Sequence, residues 1–216
     1  MLLETAFCPP VEWFAAVAEG FTLSPDGVIP SVVYLEACEN YQKQSWRNRC
    51  LIAAAGGHEA LSVPILHDGG GEALPVSEVR VSYQTPWVVR LERAVEAAYA
   101  SSPFFIHYRD AFFSILESRP DRLFDLNLRL IRFFLEKMGL SADIRLTREY
   151  LPAGNGNCGE DLRGAFHPKH PERVPERLRT KKPYYQVFAR KYGFIGGLSA
   201  MDLLFNEGPE SLDFLR

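Results

Sequence analysis

The first forty residues limit the possible folds more than any other part of the chain. Leu2 to Phe7 is a short apolar run that stops at Pro9-Pro10. Val11 to Ala18 follows with Trp13, Phe14 and Val17 at helical core spacing and Gly20 as a stop. Ile29 to Ala37 then carries Val32-Val33-Tyr34-Leu35, the near-continuous apolar pattern of a buried strand. Strand, helix and strand in that order predict an opening βαβ unit, Rossmann-like in outline, and hence an α/β protein with a central mixed, largely parallel sheet flanked by helices. The 216 residues, 47% hydrophobic and 24% charged, are enough for a sizeable core. The expectation is one domain over residues 1–216.

Further along, Leu51 to Ala55 and Leu61 to Leu66 flank Gly56-Gly57 and read as a hairpin. His67-Asp68-Gly69-Gly70-Gly71 reads as a flexible connector, and Val76 to Val81 alternates as a strand would. The middle is helical. Val88, Leu91, Val95 and Ala98 recur from Trp87 to Tyr99; Phe104 to Glu117 is rich in aromatics; Asp121 to Met138 turns Leu123, Leu126, Leu130, Phe133 and Phe134 inward before Gly139. Ile144 to Thr147 predicts a short strand. Residues 152–183 are dense in Gly, Pro, Asn and charge, too irregular for core, and read as a functional lid or a partly disordered loop. A helix starting at Tyr184-Tyr185-Gln186 and a closing helix from Ala200 to Phe205 complete the chain.

The net charge of -3 argues against a general nucleic-acid binder, yet a local basic site on an acidic body suits a small anionic ligand. The N-terminus lacks the charged region and cleavage site of a signal peptide, and no apolar run is long enough for a membrane span. Cys8, Cys38, Cys50 and Cys158 show no short pairing spacing and read as reduced thiols. A cytoplasmic protein without a membrane span is the expectation.

The segment from Glu39 to Cys50 is the best candidate for a site. It holds three cations, two aromatics and four side-chain amides, with no acid after Glu39. Lys43, Arg47 and Arg49 can pair with phosphate, Tyr41 or Trp46 can stack, and Asn48 can read a polar group. Glu36 and Glu39 stand at the predicted carboxyl end of the second strand, where ligands gather in open α/β sheets, and are the candidate general bases. Each of these groups also has a plainer reading, in which arginines and carboxylates simply neutralise one another. Ser199-Ala200-Met201-Asp202 has the form of a capping box, with Gly196-Gly197 upstream permitting close backbone approach; Ser199 and Asp202 join the candidate binding residues. Lys181, Lys182, Tyr184, Tyr185 and Arg190 form a second basic-aromatic group that reads as a solvated helix face. His167-Pro168-Lys169-His170, with Cys158, Glu160 and Asp161, offers metal-ligand types without a zinc spacing, so neither a metal nor a cofactor is expected. No dinucleotide fingerprint, P-loop or nucleophile elbow occurs.

Several of these segments resemble the WbqC-like protein family. They are Phe7-Cys8-Pro9-Pro10 with Trp13-Phe14, the run from Glu39 to Arg49, Leu61-Ser62-Val63-Pro64, Trp87, Tyr99, Pro103-Phe104-Phe105, Leu126-Asn127, and Gly193-Phe194 through Leu198-Ser199 to Gly208. The chain departs from the pattern at Ala6-Phe7-Cys8, where many relatives carry Gln-Pro and then Tyr-Phe, and so lacks that glutamine. The resemblance implies a setting in bacterial surface-polysaccharide (O-antigen) biosynthesis and a transferase that moves a small acyl or aminoacyl group, glycyl among them, onto a nucleotide-activated amino sugar. A non-catalytic phosphate-, glycan- or nucleic-acid-binding module is the alternative, as is a scaffold in a biosynthetic complex. The expected partners are a nucleotide sugar and either a second copy of the chain or a biosynthetic protein.

Overall fold

The structure, a computed structural model, describes residues 1–24, 27–66, 74–153 and 158–216. The strand–helix–strand opening is present. Strand β1 (Leu2–Glu4), helix α1 (Val11–Glu19) and strand β4 (Ser31–Glu36) follow one another, with a small antiparallel hairpin, β2 (Thr22–Ser24) and β3 (Gly27–Ile29), inserted before β4. β1 and β4 are parallel neighbours, Leu3 opposite Leu35, and β7 (Ala142–Leu146) lies on the far side of β4, also parallel, Val33 opposite Ile144. The central sheet is therefore three-stranded and wholly parallel rather than mixed, in the order β1-β4-β7. One face of β4 is buried through Val33 and Leu35; on the other, Val32 is exposed, Tyr34 packs under the Arg145 guanidinium and Glu36 at the strand end is buried.

α1 forms because eight successive residues, Val11 to Ala18, all find apolar surroundings. Trp13 sends its indole N–H to the Glu4 carbonyl at 3.3 Å, and Phe14 meets Phe134 edge-on at 5.7 Å. Burying each such ring contributes roughly 1.5–3 kcal/mol, ample to fix a helix this short against the sheet. The antiparallel pair β5 (Arg49–Ala54) and β6 (Gly57–Ser62) turns at Gly56-Gly57 as the double glycine predicts, Gly57 taking a positive φ.

Helices α2 (Trp87–Tyr99), α3 (Phe105–Glu117) and α4 (Leu123–Lys137) fall where the 3.6 periodicity places them. They close around Phe205 of α6 (Ala200–Glu207), which contacts Tyr99, Phe105 and Phe112 at 5.1–5.9 Å between ring centres. Short helices α5 (Ala189–Tyr192) and α7 (Ser211–Phe214) complete the set. Among the described residues no helix is long and apolar enough to cross a membrane.

Three local expectations are corrected. Val76–Glu78 is a 3-10 turn, not a strand, because the Val76 and Ser77 N–H groups bond to the Glu39 and Ala37 carbonyls at the exit of β4. Tyr184 to Gln186 has no regular secondary structure, and the helix begins only at Ala189. The segment after Cys158 does join the core: Leu162, Phe166 and Leu178 are buried, although the backbone between them has only 3-10 turns. The glycine connector at 67–71 lies outside the described residues.

Candidate functional site

The segment expected to bind an anion meets a different fate at its centre. Arg47 is buried, and its guanidinium is a two-pronged partner of Glu39, Nε to Oε1 at 2.8 Å and Nη2 to Oε2 at 2.6 Å. The same Nη2 reaches Glu4 Oε2 at 3.3 Å. Glu4 also accepts the Gly164 N–H at 2.7 Å, and burial still drives its carboxyl above the usual range. Asn127 of α4 closes the group, its Nδ2 donating to the Arg47 carbonyl at 2.8 Å and to Thr5 Oγ1 at 3.3 Å. With its charge so engaged, Arg47 ties β1, the loop after β4 and α4 together rather than facing a ligand.

Glu36 is likewise consumed. One oxygen accepts from Thr147 Oγ1 at 2.7 Å and the Cys38 N–H at 3.0 Å; the other takes Arg163 Nη1 at 2.9 Å. As candidate bases, Glu36 and Glu39 have both oxygens engaged by protein donors, those of Glu39 by Arg47 alone. Asn48 spends its Nδ2 on the Val63 carbonyl at 2.9 Å, and Arg49 opens β5, half-buried like Tyr41. Lys43 is exposed. Ser199 caps α6, its Oγ accepting the Met201 N–H at 3.3 Å. Asp202 is buried, and its carboxylate turns to Gln186 Nε2 at 2.7 Å instead of back to the cap; burial raises it to about 6, with the Tyr184 and Tyr99 hydroxyls and Gln186 acting against the rise.

Trp46 goes elsewhere. It lines a cavity of about 580 Å³ together with Pro10 and Glu12 of the α1 start, Leu51 of β5, Phe166 to Pro168, Pro171, Glu172, Val174, Arg179-Thr180, Phe194 and Gly196-Gly197. The volume lies within the range of small-ligand sites, and the walls combine aromatic and aliphatic groups with a few polar ones. The floor is set by paired chain segments. Pro10 bridges Ser199, the Val11 N–H bonds to the Leu198 carbonyl at 3.0 Å, and the Ser199 N–H bonds to the Leu51 carbonyl at 2.8 Å, so the starts of α1 and α6 converge on β5.

Glu12 is the polar centre of that floor. It is 7% exposed and stands in the first turn of α1, where the helix dipole favours a carboxylate. Oε1 accepts the Gly197 N–H at 3.1 Å, while Oε2 is buried without a hydrogen-bond partner among the described residues. Burial raises the carboxyl; its own and the Gly197 N–H and the Arg179 charge oppose the rise. The glycine turn is itself pinned. Gln186 accepts the Ile195 N–H with Oε1 and donates to the Ile195 carbonyl with Nε2, both at 2.9 Å, and is anchored on Asp202. Positive φ at Gly197 and open space where a Cβ would stand leave the backbone accessible there.

His167 is a further titratable group of the lining, beside Glu172 and Arg179. Its Nδ1 accepts the Lys169 N–H at 3.2 Å, so the neutral ring carries its proton on Nε2. Burial first, then the charges of His170, Arg173, Arg47 and Lys169, hold the imidazole below its ordinary range and keep it neutral at pH 7. A buried carboxyl with a free oxygen, a neutral imidazole and an aromatic wall can accept a proton from an amine or hydroxyl and orient the group carrying it.

Residues 30–163 match the WbqC-like protein family. The chain belongs to that family. An uncharacterized protein of Mycobacterium tuberculosis (strain ATCC 25618 / H37Rv), Rv1507c, is 27% identical, the match covering 82% of this chain and 84% of that protein. No solved structure matches. Of the cavity residues only Trp46 and Leu51 fall within the family match; Glu12, His167 and the glycine turn lie outside it. Sequence reasoning missed Glu12 and left His167 as a weak metal candidate. The available signal for Glu12 was an acid in the first turn of an otherwise apolar helix that opens with two prolines.

Proposed function

We propose that this WbqC-like protein is a transferase that moves a small acyl or aminoacyl group from an activated donor to the amine of a nucleotide-linked amino sugar in surface-polysaccharide biosynthesis. The observation that carries the reading is Glu12: a buried carboxyl that lines a cavity of small-ligand size and has one oxygen without a hydrogen-bond partner among the described residues. A buried acceptor left unsatisfied is costly, and a ligand N–H would complete it. In the step envisaged, the sugar amine attacks the donor carbonyl, the new C–N bond forms, and the bond from the acyl carbon to the donor's leaving group breaks. Glu12 takes the amine proton and returns it to the leaving group. Its raised pKa suits that exchange, whereas the oxygens of Glu36 and Glu39 are engaged by protein donors. Trp46 supplies the stacking wall, and the family resemblance supplies the setting.

The test is a thermal-shift and turnover screen with nucleotide amino sugars and activated acyl donors. Glu12→Gln is expected to retain sugar binding and lose about 10²–10⁴-fold in kcat. In the parent protein kcat/KM should fall on the acid side as Glu12 is protonated. If Glu12→Gln keeps the parent rate and the same acid limb, Glu12 is not the base. If no nucleotide sugar binds, the transferase reading fails.

A further inference from the structure

We propose that the His167 end of the cavity is an anion subsite, formed by the His167 ring with Lys169 and Arg173, that seats the phosphate of a phosphorylated ligand. The proposal rests on the reading that this cavity is the ligand site. It assigns the charge recognition that Arg47, tied to Glu39 and Glu4, does not supply.

Lys169 and Arg173 are exposed and sit between residues that line the cavity: Pro168 precedes Lys169, and Glu172 and Val174 flank Arg173. Nearby Arg163, Arg177 and Arg179 are each ion-paired with carboxylates. Among the described residues neither Lys169 nor Arg173 has a carboxylate partner. Lys169 Nζ instead bonds to the neutral amide oxygen of Gln44, which brings the 167–173 segment against the loop that carries Lys43 and Trp46. Two basic stretches far apart in sequence thus meet at one edge of the cavity.

The electrostatics agree with that placement. The charges acting on the His167 ring, from His170, Arg173, Arg47 and Lys169, are all positive. Glu172, the nearby acid, is taken up by His170 Nδ1 at 3.0 Å. An arriving phosphate would meet two cations without a carboxylate ion pair and the Nε2–H of a neutral imidazole, against the one carboxylate of Glu172, which also acts on Arg173. Glu12, whose Oε1 is held by the Gly197 N–H while Oε2 has no partner among the described residues, provides the opposite preference: it accepts from an amine and repels an anion. The carboxyl and the basic group together suit a ligand that carries both an amine and a phosphate.

The experiment uses inorganic pyrophosphate as the probe. The His167 ring resonance, assigned with a His167→Gln protein, is titrated against pH by NMR with and without pyrophosphate, and with chloride at equal ionic strength. Pyrophosphate is expected to raise the His167 midpoint by about one pH unit, because an anion offsets the surrounding positive charge. The Lys169→Ala/Arg173→Ala protein should bind it at least about tenfold more weakly. Both replaced side chains are exposed, so the fold should persist. Tighter binding of a nucleoside diphosphate than of coenzyme A would assign the phosphate to a nucleotide, the reverse to an acyl carrier; either keeps the subsite. A His167 midpoint that pyrophosphate leaves unmoved, or moves no more than chloride does, overturns the proposal, as does unchanged affinity in the double variant. If that happens while Glu12→Gln still abolishes transfer, only the subsite falls. Should pyrophosphate bind as expected while no amino sugar is turned over, the transferase reading falls and the subsite stands.

Discussion

Replacing Arg47 with methionine keeps an apolar stem of similar reach and deletes the charge, which separates a structural role for this residue from a ligand-binding one. In the parent protein the guanidinium makes three contacts of 2.6–3.3 Å with two carboxylates, and Arg47, Glu39 and Glu4 are 1%, 6% and 3% exposed. Removing it strands two acids in a site closed to water. Breaking a buried pair in this way typically costs about 3–5 kcal/mol, a large part of a total stability of roughly 5–15 kcal/mol. With a urea dependence of about 2 kcal/mol per molar, the unfolding midpoint should fall by about 2 M. The loss should shrink in acid. Burial already lifts the Glu4 carboxyl, and without the cation it would rise further in the folded state. A raised folded pKa means that the native form binds more protons than the unfolded one, so stability is gained as pH falls through that range. Urea titrations at pH 7 and pH 4.5, followed by the fluorescence of Trp46 and Trp13, measure both effects. Adding Glu39→Gln should then cost less in the Arg47→Met background than alone, with a coupling of about 1–3 kcal/mol. A deficit below about 1 kcal/mol at pH 7, or one that grows in acid, would refute the buried-triad argument and return Arg47 to the role of a ligand cation.

Two further outcomes follow from the same kind of accounting. Asp202, raised to about 6 in the fold, makes the protein lose stability as pH rises from about 4 toward 6; Asp202→Asn should remove that part of the slope, at most about 3 kcal/mol, as read from denaturation curves across pH. Gly208 closes α6 at φ +54°, and a Cβ there would stand 2.5 Å from the Phe104 ring, so Gly208→Ala should cost about 1–3 kcal/mol and lower the melting temperature by several degrees.

The parts of this protein legible in its sequence are those built on local repetition. α2, α3 and α4 lie within a residue or two of the expected limits because each turns one apolar stripe to a common core, and periodicity records that stripe directly. The order of β1, α1 and β4 was readable for the same reason, as was the hairpin at Gly56-Gly57. Val76 to Val81 was misread because alternation alone does not provide a strand partner: its first N–H groups are claimed by carbonyls at the exit of β4. The 158–183 segment has no period at all. Its core residues are isolated anchors such as Phe166 and Leu178, and only their destination distinguishes them from loop side chains.

The site divides along the same line. Sequence by itself determined the residue types, the acid-free run from Asn40 to Arg49 and the aromatic Trp46 that does face the cavity. It could not determine which charges remain free, because charge is neutralised through space. Arg47 is paired with Glu4, 43 residues earlier, while Lys169 and Arg173 are left without carboxylate partners among the described residues. Glu12 is set by Gly197, 185 residues away, whose N–H holds one oxygen while the other is buried without a partner among the described residues. Local pattern governs secondary structure because hydrophobic periodicity is a property of neighbours in the chain. The chemistry of a site depends on burial and on the partner brought from a distance, and those were decided only when the chain folded.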